Sequence, residues 1–231
     1  MTTENPAALW AKQHRREFVK ALVEASGAEP QNDPTAIFMA GLPGAGKTEL
    51  SKNIIDFSKI NFVRIDMDEI ASQIENYDPK EADRFRLGAT TLLSEVFSYA
   101  LYHNLDFIMD GTFGSPKAKT NIERTLKHGY MVKIIYTYQD PKTAWEFTKA
   151  SEKIEHRAIK FGGFIKVYYN TLENLKKIYQ EFHGQISIDI VVKTADNRIG
   201  VWYDNMDFSE IDEFVKLEYN KDKLIKYIKG E

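Results

Sequence analysis

The residues best suited to chemistry are Gly41-Leu42-Pro43-Gly44-Ala45-Gly46-Lys47-Thr48, followed by Glu49. Their spacing is that of a phosphate-binding P-loop, G-x-x-x-x-G-K-[ST]. Each fixed position has a physical reason. The glycines let the backbone double back and aim its N–H groups into one concave anion site. A helix starting near Gly46 would add the positive end of its dipole. Lys47 would reach the β- and γ-phosphates, and Thr48 would offer its hydroxyl to Mg²⁺. The apolar run Ile37-Phe38-Met39 reads as a buried strand, and Glu49 to Phe57 reads as a helix. Strand before and helix after is the context such a loop needs.

Two acids stand at later strand ends. Asn61 to Ile65 reads as a strand closed by Asp66-Met67-Asp68. Asp66 therefore lies on the carboxyl edge, where open α/β sheets bind ligands. A carboxylate facing a P-loop there can orient a hydroxyl and accept its proton. The structural alternative is that Asp66 or Asp68 caps the helix through Ile74, and Asp68 could otherwise contact substrate. Phe107-Ile108-Met109-Asp110 is a third strand ending in an acid, the Walker B pattern that orients Mg²⁺ or its waters. Thr112, at the same edge, could bind substrate; equally, it or Ser115 could start a helix through His128.

A basic stretch follows the fourth strand, Tyr130 to Tyr138. Thr143 to Ile159 reads as a helix carrying Lys149, Lys153, His156, Arg157 and Lys160. Phe161-Gly162-Gly163 is expected to break it before a helix resumes toward Phe182. That arrangement suits a lid closing over phosphates, with Arg157 stabilising the transferring group. The alternative is a solvated basic face.

These residues need a scaffold, and the chain has the length for one. A chain of 231 residues with 43% apolar content suits one α/β domain with additions. A net charge of −3 gives no general attraction for polyanions, so nucleic acid is not an expected partner. With no cysteine, there can be no disulfide, thiol nucleophile or cysteine metal site. The five histidines are scattered without metal-ligand spacing. No apolar run approaches the ~20 residues of a membrane span, and Met1 to Gln13 has no signal-peptide pattern, so a cytoplasmic protein is expected. Asn5 to Ser26 reads as a helix ended by Gly27, with Ala8, Leu9, Phe18, Leu22 and Val23 on one face. Pro79 to His103 reads as a long helix with Leu87, Leu92, Val96 and Tyr99 inward. Ile186 to Val192 and Arg198 to Tyr203 flank a hairpin turn at Thr194–Asn197, and Ser209 could cap a last helix through Ile228. The expected organisation is a helical arm and linker over 1–34, a kinase-type domain over 35–205 with a lid near 150–166, and a C-terminal helix over 206–231 packed on that domain.

In order, the P-loop, Asp66, Asp110-Gly111-Thr112 and the Arg157 segment resemble the zeta-toxin family of P-loop kinases over about residues 35–205. The more specific features are Ile65-Asp66-Met67-Asp68 with Tyr77 downstream, and the Asp-Gly-Thr. Arg157 before Gly162-Gly163, Leu172-Glu173-Asn174-Leu175, and Tyr203-Asp204-Asn205 are also similar to this family. The resemblance implies a doubly wound, mainly parallel α/β sheet with flanking helices and a C-terminal strand or hairpin addition. It implies ATP- or GTP-dependent, Mg²⁺-assisted phosphorylation of a sugar hydroxyl, for the toxins proper the 3′-hydroxyl of UDP-N-acetylglucosamine. It also implies an antitoxin protein that blocks the nucleotide site. On that basis Asp66 is the base, Lys47 and Arg157 bind the transferring phosphate, and Thr48 and Asp110 serve the metal. Asp66, Asp68, Asp110 and Thr112 face the acceptor, and Arg157 and Lys166 belong to the lid. The chain departs from the family pattern at Ile70-Ala71-Ser72, where an arginine is usual, and at Phe164, where a histidine is common. Lys166 stands near a second expected arginine, and lysine lacks the bidentate fork. Two alternatives remain beside this: a kinase for another hydroxyl (nucleoside, nucleic-acid end, antibiotic or sugar acid), and a nucleotide-dependent binding module without transfer. Asp66 favours a kinase, because a base is needless without an acceptor.

Overall fold

In the computed structural model, residues 5–207, 210, 213 and 220–231 are described. Thr35–Gly41 (β1) is buried at every residue but the first, as a central strand covered on both faces must be. Val63–Asp66 (β2), Phe107–Asp110 (β3), Met131–Tyr138 (β4), Ile186–Lys193 (β5) and Ile199–Tyr203 (β6) complete one sheet in the order β2-β3-β1-β4-β5-β6. The first five strands are parallel, and β6 returns antiparallel at the edge through the hairpin turn. Parallel neighbours require crossovers, and helices supply them.

The helices are Pro6–Ser26 (α1), Lys47–Ser58 (α2), Met67–Ser72 (α3), Ala82–Tyr102 (α4), Ala118–Lys127 (α5), Pro141–Glu155 (α6), Phe161–Phe182 (α7) and Lys221–Lys229 (α8), of which α2 to α7 lie in the crossovers. On the α2 face, Ile37, Met39, Leu50, Phe62, Ile108, Ile135 and Val191 form a small apolar cluster. The larger cluster on the other side joins side chains of α1, α4, α5 and α7 to the sheet. The α1 helix packs along α4. There a Cβ on Gly88 would come within 2.5 Å of the Ala7 carbonyl, and Arg15 pairs with Glu95 at 3.0 Å. Asn5 caps α1 by accepting from Ala8 N, and Gly27 ends it in the left-handed region. At the sheet edge, buried Asp189 accepts from Trp202 Nε1 at 3.1 Å and Asn205 N at 3.1 Å. The Tyr203-Asp204-Asn205 motif thus fastens β6 to β5.

Several expected details shift. Leu9, Leu87 and Tyr99 are exposed rather than inward, while Phe18, Leu92 and Val96 are buried. The long helix begins with a 3₁₀ turn at Pro79–Glu81, where Asp78 caps Lys80 N. The break after the basic helix falls at His156–Lys160, with His156 left-handed at φ 57°. Gly162 and Gly163 instead lie in the first turn of α7. Ser209, expected to cap a last helix, lies outside the described residues; the described final helix is capped by Asn220.

Candidate active site

The P-loop takes the shape its glycines permit. Gly44 and Gly46 have φ of 77° and 72°, a region costly for other residues. A Cβ on Gly44 would strike the Ala144 carbonyl in α6, and one on Gly46 would lie 3.0 Å from Lys193 Nζ. Gly46 caps α2 without a side-chain hydrogen bond, so the first-turn N–H groups face outward as anion donors. Lys47, the first helical residue, is 9% exposed, and its Nζ donates to the Leu42 carbonyl at 2.5 Å. Burial lowers its pKa from 10.5 to about 8, against the pull of Asp110, Asp66, Glu49 and Asp68. Thr48 and Glu49 follow, exposed, on the same turn.

Asp66 and Asp110 end their strands as direct partners across β2 and β3. Alternation along a strand therefore sends both side chains to one face. Asp66 Oδ1 accepts from Asp68 N at 2.7 Å and Glu69 N at 3.0 Å, capping α3. Its Oδ2 accepts from Arg64 and keeps one lone pair open. Burial, then the neighbouring Asp110, raises the Asp66 pKa, opposed by the Glu69 backbone bond and by Arg64. A raised proton affinity is what proton abstraction from a hydroxyl calls for.

Arg64 is the residue that sequence reasoning missed. It stands two positions before Asp66, hence on the same face, and its side chain is 9% exposed. Its Nη2 donates to Asp66 Oδ2 at 2.8 Å and to Asp110 Oδ2 at 2.6 Å. Its Nε donates to Ser51 Oγ at 3.1 Å, and Ser51 Oγ donates to Asp110 Oδ2 at 2.7 Å. Its Nη1 pairs with Glu69, which also faces Lys52 at 3.6 Å. Burial opposes the guanidinium charge, but Asp110, Asp66 and Glu69 more than offset it, and the pKa rises. In the sequence, Arg64 shows only as an i, i+2 neighbour of Asp66; its link to Asp110 and Ser51 needs the strand pairing.

The remaining candidates divide into two groups. Arg157 reaches the site and pairs with Asp68, beside Asp66. Lys166 is exposed on α7 and has no partner among the described residues. Thr112 is held by its backbone: its carbonyl accepts from Thr171 Oγ1 at 2.7 Å and Gly41 N at 3.3 Å. Its own Oγ1 accepts from Gly114 N at 3.3 Å. Asn174 Nδ2 donates to the carbonyls of Phe113 at 2.8 Å and Ser115 at 3.0 Å. The Leu172-Glu173-Asn174-Leu175 motif thus ties α7 to the loop after β3. Phe164 is fully buried against Trp145, so this position builds core.

A P-loop between β1 and α2, with acids at the ends of β3 beside it and of β2 next along the sheet, defines a P-loop protein of the kinase-type α/β class. A profile of the zeta toxin family matches residues 20–207. The chain belongs to that family. Comparison with curated proteins returned no significant match. Among solved structures, the chain is similar to one from the PezAT chromosomal toxin–antitoxin system of Streptococcus pneumoniae. The two share 17% identity at a TM-score of 0.69, over 95% of this chain and 93% of that one. A chain of the AvrRxo1-ORF1:-ORF2 complex matches with TM-score 0.58 and 11% identity, over 90% of this chain and 71% of that one. At these identities the likeness speaks for the fold. No helix among the described residues is long and apolar enough to cross a membrane.

Proposed function

We propose that the chain is an ATP- or GTP-dependent kinase that phosphorylates a hydroxyl of a sugar nucleotide such as UDP-N-acetylglucosamine. The observation that carries this is Asp66: a buried carboxylate of raised proton affinity, close enough to Lys47 to shift its pKa. The acceptor hydroxyl gives its proton to Asp66 as its oxygen attacks the γ-phosphorus. The bond from that phosphorus to the β–γ bridging oxygen breaks, and the nucleoside diphosphate leaves. Lys47 and the first-turn N–H groups of α2 hold the phosphates, and Arg157 exchanges Asp68 for the transferring group. Asp68 and Thr112 line the acceptor side, and Lys166 belongs to the lid.

Magnesium fits at Thr48, whose hydroxyl sits exposed beside Lys47 on the first turn. Among the described residues no cluster of three or more acids or histidines could hold a metal by itself. An ion at Thr48 would therefore share phosphate oxygens and water, as Mg²⁺ commonly does, and would neutralise charge on the phosphates. Family membership and the toxin–antitoxin origin of the pneumococcal structure support an antitoxin protein as a partner that covers the nucleotide site.

The test is transfer from γ-labelled ATP or GTP to UDP-N-acetylglucosamine by wild type and Asp66→Asn. Labelled sugar nucleotide from the wild type and none from the variant, with ATP binding equal in both, is expected. Label on a different pooled acceptor would replace the sugar nucleotide. Equal transfer by the variant would remove Asp66 as the base.

A further inference from the structure

We infer that Arg64 is a positioning residue that joins Asp66 and Asp110 into one unit, and that Asp110 serves this clamp rather than the magnesium ion. The inference rests on the kinase reading and deepens it.

One nitrogen, Arg64 Nη2, bonds one oxygen of each carboxylate, at 2.8 Å to Asp66 and 2.6 Å to Asp110. Asp66 then has no freedom left. Its Oδ1 is fixed by two backbone N–H groups of α3, and its Oδ2 is fixed by Arg64. The carboxylate plane is set, so an acceptor hydroxyl must approach the unused lone pair of Oδ2. Positioning of this kind is worth large rate factors, because small misplacements of a base are heavily penalised.

Asp110 completes the clamp from the other side. Its Oδ2 takes two donors, Ser51 Oγ at 2.7 Å and Arg64 Nη2. Ser51 also receives Arg64 Nε at 3.1 Å, so three groups from α2, β2 and β3 close a ring. Ser51 lies one turn beyond Thr48, deeper in α2 and fully buried. The hydroxyl bonded to Asp110 is therefore not the one that fits magnesium. A side chain that is 3% exposed and already bonded to a guanidinium has its charge matched within the protein. Two carboxylates paired directly across β2 and β3 would otherwise repel. Arg64 sets a positive charge between Asp66 and Asp110, which offsets that repulsion without a metal between them.

The deciding measurement needs no acceptor: magnesium titrations of fluorescent ATP-analogue binding to wild type, Thr48→Ala, Asp110→Asn and Arg64→Gln. Thr48→Ala is expected to lose the magnesium-dependent gain in affinity by about tenfold. Asp110→Asn and Arg64→Gln are expected to keep it within about twofold. Loss of that gain in Asp110→Asn would return Asp110 to the metal and overturn the inference.

Phosphoryl transfer supplies the second readout. Arg64→Gln and Asp110→Asn should each lower kcat by about 10²-fold or more with little change in KM for ATP. The double variant should be no worse than either single one, as expected for a unit. Because it removes opposite charges together, it also guards against a fold lost through one unpaired charge. Arg64→Lys should restore folding but not rate, since one ammonium cannot reproduce the fork. Multiplying losses in the double variant would show that the two residues act separately. A wild type inactive toward UDP-N-acetylglucosamine would refute that acceptor, while the magnesium titrations would still decide the clamp.

Discussion

Replacing Lys47 with methionine should make the nucleotide-free protein more stable at about pH 7, although it destroys the phosphate site. The charged amine is buried, and its pKa is lowered from 10.5 to about 8. At about 1.36 kcal/mol per pH unit, that is roughly 3 kcal/mol of net disfavour for the charged form, after the nearby acids have acted. Methionine removes this but also loses the Leu42 bond, about 1.5 kcal/mol for a charged donor. The balance is a gain of about 1.5 kcal/mol, or a rise in Tm of about 4 °C for a chain of this size. The gap then closes as pH rises. The folded protein releases the Lys47 proton near pH 8, while the unfolded chain holds it to 10.5. The burial cost is therefore complete below pH 8 and fades as pH rises through that window. Wild type gains on the variant across it, and by about pH 10, where a neutral amine bond of about 1 kcal/mol faces about 0.7 kcal/mol of remaining cost, the two proteins should be nearly equal in stability. Thermal and urea unfolding of both proteins, without nucleotide, across that range is the assay. A stability gap that stays flat with pH would refute the reasoning, as would a variant less stable than wild type at about pH 7.

Three further outcomes follow from the same geometry. ATP·Mg should raise the Tm of wild type and leave Lys47→Met unmoved; wild-type affinity for a fluorescent ATP analogue should fall about tenfold per pH unit above about pH 8, since binding then requires proton uptake. Gly44→Ala should lose the ATP shift and about 2 kcal/mol or more of stability, because φ is 77° and the new methyl group meets the Ala144 carbonyl; urea unfolding measures the loss, and a neutral result would mean the loop can shift. Asp68→Ala should release Arg157 from its ion pair and speed hydrogen exchange over residues 156–160 in the free protein, with protection restored by a non-hydrolysable ATP analogue.

What could be read from the sequence was local. The P-loop, the strand-end acids and the hairpin each occupy a few consecutive residues whose backbone needs are written in their side chains. The sheet confirms their shared edge. Arg64 was not legible because its meaning lies across strands: only the pairing of Asp66 with Asp110 shows that one guanidinium can serve both. The helix break was misplaced for a physical reason. Glycine permits a turn without compelling one, and Gly162-Gly163 continue as helix, while the turn is made by a left-handed His156. Leu87 and Tyr99 show a related limit. Helical period defines a stripe, but not how far round the helix the packed neighbours reach, and Leu87 and Tyr99 lie beyond that reach.

The ties between α7 and the loop after β3 limit how the lid can move. Asn170, Thr171 and Asn174 fix two adjacent turns of loop-facing helix to the carbonyls of Gly114, Thr112, Phe113 and Ser115. Phe113 is itself buried with φ of 63°, a conformation that persists only under such restraint. A helix pinned to the loop at its middle has little rotation of its own to offer. The degrees of freedom for closure are left to the five residues His156–Lys160, a joint between two anchored arms. On the proposed mechanism Arg157 would turn there from Asp68 toward the phosphates as a hand turns at the wrist, with the helices beside it as bearings.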